Sequence, residues 1–138
     1  MARPSVLFDL GVILDVLQRR EPFFDRSARA LASAETGQVQ GWVAAHSLTT
    51  LFDLLATYQS AEKARLVLTG LMTFLAVAQV DQAVVEQALN LPYSDFEDAV
   101  RLIAALRSGA QYLVTRNVQD YKAGPLPVLQ PAELLALL

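Results

Sequence analysis

Short apolar runs alternate with longer amphipathic stretches along this chain, and nearly every boundary carries a polar or turn-forming residue. Ser5-Val6-Leu7-Phe8 is apolar without alternation and ends in Asp9. That is the pattern of a strand buried on both faces, with a carboxylate at its C-terminal edge. After Gly11, Val12 to Leu17 predicts a first helix ending near Arg19 and Arg20, and Glu21-Pro22 opens a second that runs to about Glu35 and stops at Gly37. Val39 to Ala44 reads as a strand, and His46-Ser47-Leu48-Thr49-Thr50 opens a helix whose apolar face is Leu51, Phe52, Leu54 and Leu55. Ser60 is a candidate N-cap, Ala64 to Phe74 a helix, and Val77 to Val80 a brief strand. Asp81 caps a helix to about Leu89 that Asn90-Leu91-Pro92 breaks. A helix from Asp95 to Arg107 is closed by Ser108-Gly109, and Tyr112-Leu113-Val114 is the next strand. Pro127-Val128-Leu129 forms a short last strand, and Pro131 begins a terminal helix to Leu138. Strands alternating with helices predict an α/β fold with a mostly parallel central sheet, and residues 1–138 read as one domain without repeat or linker.

Composition narrows the functional classes. The 138 residues are 54% hydrophobic, high for a soluble chain, which predicts strands buried on both faces, an oligomer interface, or both. No apolar run reaches the roughly 18 residues of a membrane span, and the N-terminus lacks a signal-peptide layout. The absence of cysteine excludes disulfides and thiolate metal sites, and the chain reads as cytoplasmic. A net charge of −3 argues against a strongly basic nucleic-acid binder while leaving room for local basic patches.

The candidate chemistry lies in the acids. Tyr93-Ser94-Asp95-Phe96-Glu97-Asp98 places three carboxylates at the first turn of a helix, where free N–H groups favour negative charge. Asp95 and Asp98 are three apart and share a face, while Glu97 points elsewhere and reads as solvated. Asp9 ends the first strand, and Asn117 and Asp120 follow a later one, so all of these fall at the C-terminal edge of the predicted sheet, where open α/β folds bind ligands. An oxygen-rich cluster without histidine or cysteine suits Mg²⁺ or Mn²⁺ and phosphodiester chemistry. Each acid also has a plainer role: Asp9 and Asp95 as helix caps, and Asp98 and Asp120 as solvated charges. His46, the one histidine, reads as structural, and Arg116, Arg19 and Arg20 are candidates for a phosphate-binding rim.

Three stretches in order carry a family resemblance: Phe8-Asp9-Leu10-Gly11-Val12-Ile13-Leu14-Asp15, Asp95-Phe96-Glu97-Asp98-Ala99, and Val114-Thr115-Arg116-Asn117-Val118-Gln119-Asp120-Tyr121. With Arg20-Glu21-Pro22-Phe23 and Leu126-Pro127-Val128-Leu129-Gln130-Pro131, they cover essentially the whole chain, which resembles a PIN domain of the bacterial VapC-like toxin branch. The resemblance implies a three-layer α/β/α fold and cleavage of single-stranded RNA. It also implies a Mg²⁺ or Mn²⁺ site, a cognate antitoxin protein and a homodimer. Carried over by position, Asp9, Asp98 and Asn117 are the expected catalytic residues, and Asp9, Asp98, Asp95 and Asp120 the expected metal ligands. Arg116, Thr115 and Thr50 are expected at the substrate, and Asp53 is the nearest counterpart of the family's second acid.

Two departures stand out. Leu10 and Gly11 replace the small hydroxyl residue and asparagine that usually follow the first acid, and Asp53 sits out of register. They leave open a second expectation, a PIN-like module that binds RNA or protein without cutting. A phosphatase of the haloacid dehalogenase type is a weak third, because Phe8-Asp9-Leu10-Gly11-Val12 lacks that motif's second aspartate.

Overall fold

The computed structural model describes residues 3–121 and 124–138. Strand β1 (Ser5–Phe8) is the middle of a five-stranded sheet. Its side chains divide as strand geometry requires: Val6 and Phe8 enter one apolar cluster and Leu7 the other. Around it lie β2 (Gln40–Ala44), β3 (Leu75–Ala78), β4 (Tyr112–Val114) and β5 (Val128–Leu129). The strand order is β3-β2-β1-β4-β5, and every pairing is parallel. Helices α1 (Leu10–Leu17), α2 (Phe24–Glu35), α3 (Ala45–Tyr58), α4 (Ala61–Leu71) and α7 (Pro131–Ala136) pack on the Val6/Phe8 face. Helices α5 (Gln82–Leu89) and α6 (Phe96–Ser108) cover the Leu7 face. The fold is thus the expected three-layer α/β/α arrangement.

The strand order places the ligand crevice. From β1 the chain steps outward to β2 and β3, then returns to the other side of β1 for β4 and β5. The reversal leaves β1 and β4 as neighbours whose following loops diverge, and the space outside their C-terminal ends is where open parallel sheets hold ligands. The Asp9 N–H donates to the Val114 carbonyl at 2.9 Å, which ties the two strand ends together.

Local signals set most boundaries. Ser60 accepts from the Lys63 N–H and Asp81 from the Val84 N–H, so both caps form as their residue types predict. Gly109 closes α6 at φ +89°, a conformation that glycine enters without a Cβ clash. The structure corrects several bounds, and α2 begins at Phe24 rather than at Glu21-Pro22. Helix α4 starts at Ala61 and ends at Leu71, and β3 is Leu75–Ala78, both earlier than expected from the sequence. The run Leu71 to Val80 offers no clear period. Pairing of Gly41 with Leu75 and Ala44 with Ala78 selects the register instead. Helix α1 likewise begins directly at Leu10, with no intervening loop.

Gly41 lies where β2 meets the helical layer. A Cβ there would stand 2.7 Å from Leu75 Cδ2, 2.8 Å from the Ala34 methyl and 3.2 Å from the Phe8 ring. Gly41→Ala is expected to lower stability by about 1–3 kcal/mol through overpacking, measured as a shifted midpoint in urea unfolding. An unchanged midpoint would mean that these neighbours yield freely.

Candidate functional site

Helix α1 begins one residue beyond β1, so Asp9 occupies its N-cap position. Its carboxylate does not cap the helix. Instead Oδ2 accepts from the Thr115 hydroxyl at 2.7 Å, across the two strand ends. Asp9 is 7% exposed and Thr115 fully buried. The Thr115 hydroxyl also accepts from the Asn117 N–H at 3.1 Å, which fixes the turn after β4.

Helix α6 delivers the second acid. Asp95 is its N-cap, accepting from the Asp98 N–H at 3.2 Å. One turn on, Arg101 lies on the same face as Asp98. Its Nη1 stands 2.9 Å from Asp98 Oδ1 and 3.2 Å from Asp9 Oδ1, so one nitrogen bridges the two carboxylates. Nε and Nη2 each lie 3.3 Å from Ser47 Oγ in the first turn of α3. Nη1 also donates to the Tyr121 hydroxyl at 3.2 Å, and that hydroxyl donates to Asp98 Oδ1 at 3.1 Å. Tyr121 is held in turn by Tyr93, whose hydroxyl donates to the Tyr121 carbonyl at 3.0 Å with the rings edge to face.

The electrostatics follow from this packing. Burial alone would make Arg101 easier to deprotonate, but Asp9, Tyr121 and Asp98 more than offset it, and its pKa is raised. Burial, together with the charge of Asp9, pushes the Tyr121 phenol far above its usual value, so it stays a neutral donor. Asp98 is raised above the usual carboxylate range, first by desolvation and then by Asp95, with Tyr121 and Arg101 pulling the other way. His46 is lowered by burial and by Arg101, so its ring is the more firmly neutral. Its Nε2 lies 3.2 Å from the Glu97 carbonyl, a contact that joins the starts of α3 and α6.

The predicted residues divide into three groups. Asp9 and Asp98 come together. Asp95, Asp98, Asp120 and Ser94 line an open concavity of about 230 Å³ beside them, and Asn117 lies exposed at the turn. The remaining four take other places. Thr115 is buried beneath the site with its hydroxyl committed to Asp9, so it supports the acid and has no surface to offer a substrate. Arg116 turns away from the acids: its Nε pairs with Asp15 Oδ2 at 2.6 Å, and its guanidinium stacks 3.8 Å above the Phe23 ring. Asp15, fully buried, also accepts from Ser27. Thr50 donates back to the His46 carbonyl, and Asp53 is exposed. Helix α3 starts directly after β2, so its first-turn residue Ser47 faces the cluster, while Asp53 lies about 9 Å further along the helix axis.

The expected four-carboxylate metal set therefore does not assemble as drawn from the sequence. Among the described residues no three His, Cys, Asp or Glu side chains are grouped to hold a metal ion. The place between Asp9 and Asp98 is filled by the Arg101 guanidinium, so the residues as arranged do not fit a divalent ion. Arg101, Ser47 and Tyr121 are the members that the sequence motifs do not single out. One signal is present: Arg101 is the lone charge in the apolar run from Ala99 to Leu106, and a cation there needs a buried partner.

A PIN domain family model matches residues 5–119. The chain belongs to the PIN domain family. Among solved structures, a toxin–antitoxin complex from Klebsiella pneumoniae superposes with TM-score 0.71 at 22% identity, covering 92% of this chain and 98% of that one. FitAcB from Neisseria gonorrhoeae gives 0.67 at 17% identity, with 92% and 98% covered. Mycobacterium tuberculosis VapC20, described as a Sarcin-Ricin loop cleaving toxin, gives 0.62 at 18% identity, with 79% and 87% covered. No curated protein matches the sequence. At these identities the superpositions show a shared PIN fold.

A pH prediction follows from Asp98. Its folded-state pKa is raised above that of an unfolded aspartate, so its contribution to stability is full below pH ~4 and falls as pH rises through the folded value. The carboxyl carbon of Asp98, followed by NMR, is expected to titrate above the usual aspartate range. Asp95→Asn should move that midpoint down by removing the neighbouring charge. A midpoint at the ordinary value in the unmodified protein would refute this account of the site.

Proposed function

We propose that this chain is an endoribonuclease of the toxin–antitoxin kind, acting on single-stranded RNA and restrained by a cognate antitoxin protein. The observation that carries the reading is the Asp9–Asp98 pair at the C-terminal edge of β1 and β4, in a chain of the PIN family. Structural neighbours named as a toxin–antitoxin complex and as a Sarcin-Ricin loop cleaving toxin support it. Asp98 reaches solvent at the concavity lined by Asp95 and Asp120, and with Asn117 at the turn it is the acid placed to meet a phosphodiester. Asp9 lies behind it, almost wholly buried.

Among the described residues no helix is long and apolar enough to cross a membrane, and the reading places the protein in the cytoplasm with its RNA. A second copy of the chain belongs to the proposal too. Tyr58 and Leu66, 74% and 67% exposed, leave apolar surface on the packed pair α3 and α4. Mg²⁺ or Mn²⁺, the cofactor this family resemblance implies, meets Arg101 at the acids. That pairing favours one alternative, a PIN module that binds RNA without cutting it.

A labelled single-stranded RNA incubated with the purified protein separates these readings. Slow cleavage is expected, falling about 100-fold or more in Asp98→Asn. Equal cleavage by the variant would sink the proposal. RNA binding with no cleavage by the unmodified protein would establish the binding module instead.

A further inference from the structure

The two acids at the strand edge are bridged by a side chain of α6, the helix that carries Asp98. Arg101 is 4% exposed, and all three of its guanidinium nitrogens have partners: Nη1 with Asp9, Asp98 and Tyr121, Nε and Nη2 with Ser47. So enclosed, it cannot reach a phosphate in solvent, which excludes the usual work of an arginine at a nuclease surface. What it does is set one positive charge against both carboxylates, through a single nitrogen. A divalent ion would need the same Oδ1 atoms at about 2.0–2.1 Å, and it could not share them with a fixed positive group. Ser47 gives the arrangement its rigidity, because it holds the guanidinium from α3, an element that carries neither acid.

We propose that Arg101 is a built-in competitor for the divalent ion: it fills the cation position between Asp9 and Asp98 and keeps metal occupancy low. The inference rests on the PIN reading of Asp9 and Asp98 as the ion's place, and it is independent of RNA cleavage. A tethered cation competes at the high effective concentration of an intramolecular group, so metal must displace it. The orientation of its tether then sets how readily metal enters.

Mn²⁺ titration of the whole protein without RNA, read by calorimetry and by thermal melting, tests this. The unmodified protein is expected to bind Mn²⁺ weakly and to melt alike in Mn²⁺ and in EDTA. Arg101→Gln should bind Mn²⁺ about tenfold or more tightly and melt higher when Mn²⁺ is present, both gains vanishing on adding Asp9→Asn. Ser47→Ala leaves every charge in place and frees only Nε and Nη2. It should bind Mn²⁺ a few-fold more tightly than the unmodified protein, and it decides the question if Arg101→Gln does not fold. Equal Mn²⁺ affinity in the unmodified protein and both variants overturns the proposal, as does a gain that survives Asp9→Asn. Because no RNA is present, the titration tests Arg101 even in a protein that never cleaves RNA, and a failure of the competitor idea leaves the nuclease reading to its own assay.

Discussion

Two carboxylates brought together at the end of a parallel sheet repel each other, and one of them is almost wholly removed from water. Asp9 in that setting demands a counter-charge: a buried carboxylate without one is among the costliest arrangements a fold can hold, and removing one member of a buried ion pair typically costs about 3–5 kcal/mol. Arg101 answers the demand. Around that single guanidinium the rest of the site is ordered: Ser47 from α3, Asp98 from the same face of α6, and Tyr121 from the turn after β4. One guanidinium offsets part of the charge of the two carboxylates, and Ser47 and Tyr121 fix its orientation. The Tyr121 phenol takes part as a neutral bridge, accepting from the arginine and donating to Asp98.

The sheet supplies the geometry that makes this possible. β1 at the centre, flanked by β2 and β4, brings Asp9, Ser47 and Thr115 to one edge, because each lies just past the C-terminal end of its strand. α6 then crosses the Leu7 face and presents its first turns to that edge. At Gly41 an added Cβ would meet Leu75 and the methyl of Ala34, so the α2 layer rests on the bare strand backbone there.

How much of this was legible in the sequence depended on range. Interactions within a few residues were readable: the Ser60 and Asp81 caps, the Asp95 cap, the Gly109 stop and the uninterrupted apolar run of β1. The acids Asp9 and Asp98 were also readable, because strand ends and helix starts at one edge are predictable from an α/β pattern. What fills the space between them was not. Arg101 looks, in one dimension, like any helical arginine, and its partners are a serine 54 residues back and a tyrosine 20 residues on. Arg116 shows the opposite error. Its place in a Thr-Arg-Asn turn advertised a phosphate ligand, but the buried Asp15 in the apolar run of α1 takes it first. A pattern shows which charges exist. Only the packing shows which are already paired.

The hydrogen bond between Thr115 and Asp9 joins residues 106 apart in the chain. A chain emerging from the ribosome makes its first strand early and cannot complete this bond until the fourth has followed. Until then Asp9 lacks its threonine, and the side of β1 that β4 pairs with stays open. The acid centre thus cannot assemble before the first strand has met both α6 and the fourth strand, so it depends on contacts of long sequence separation.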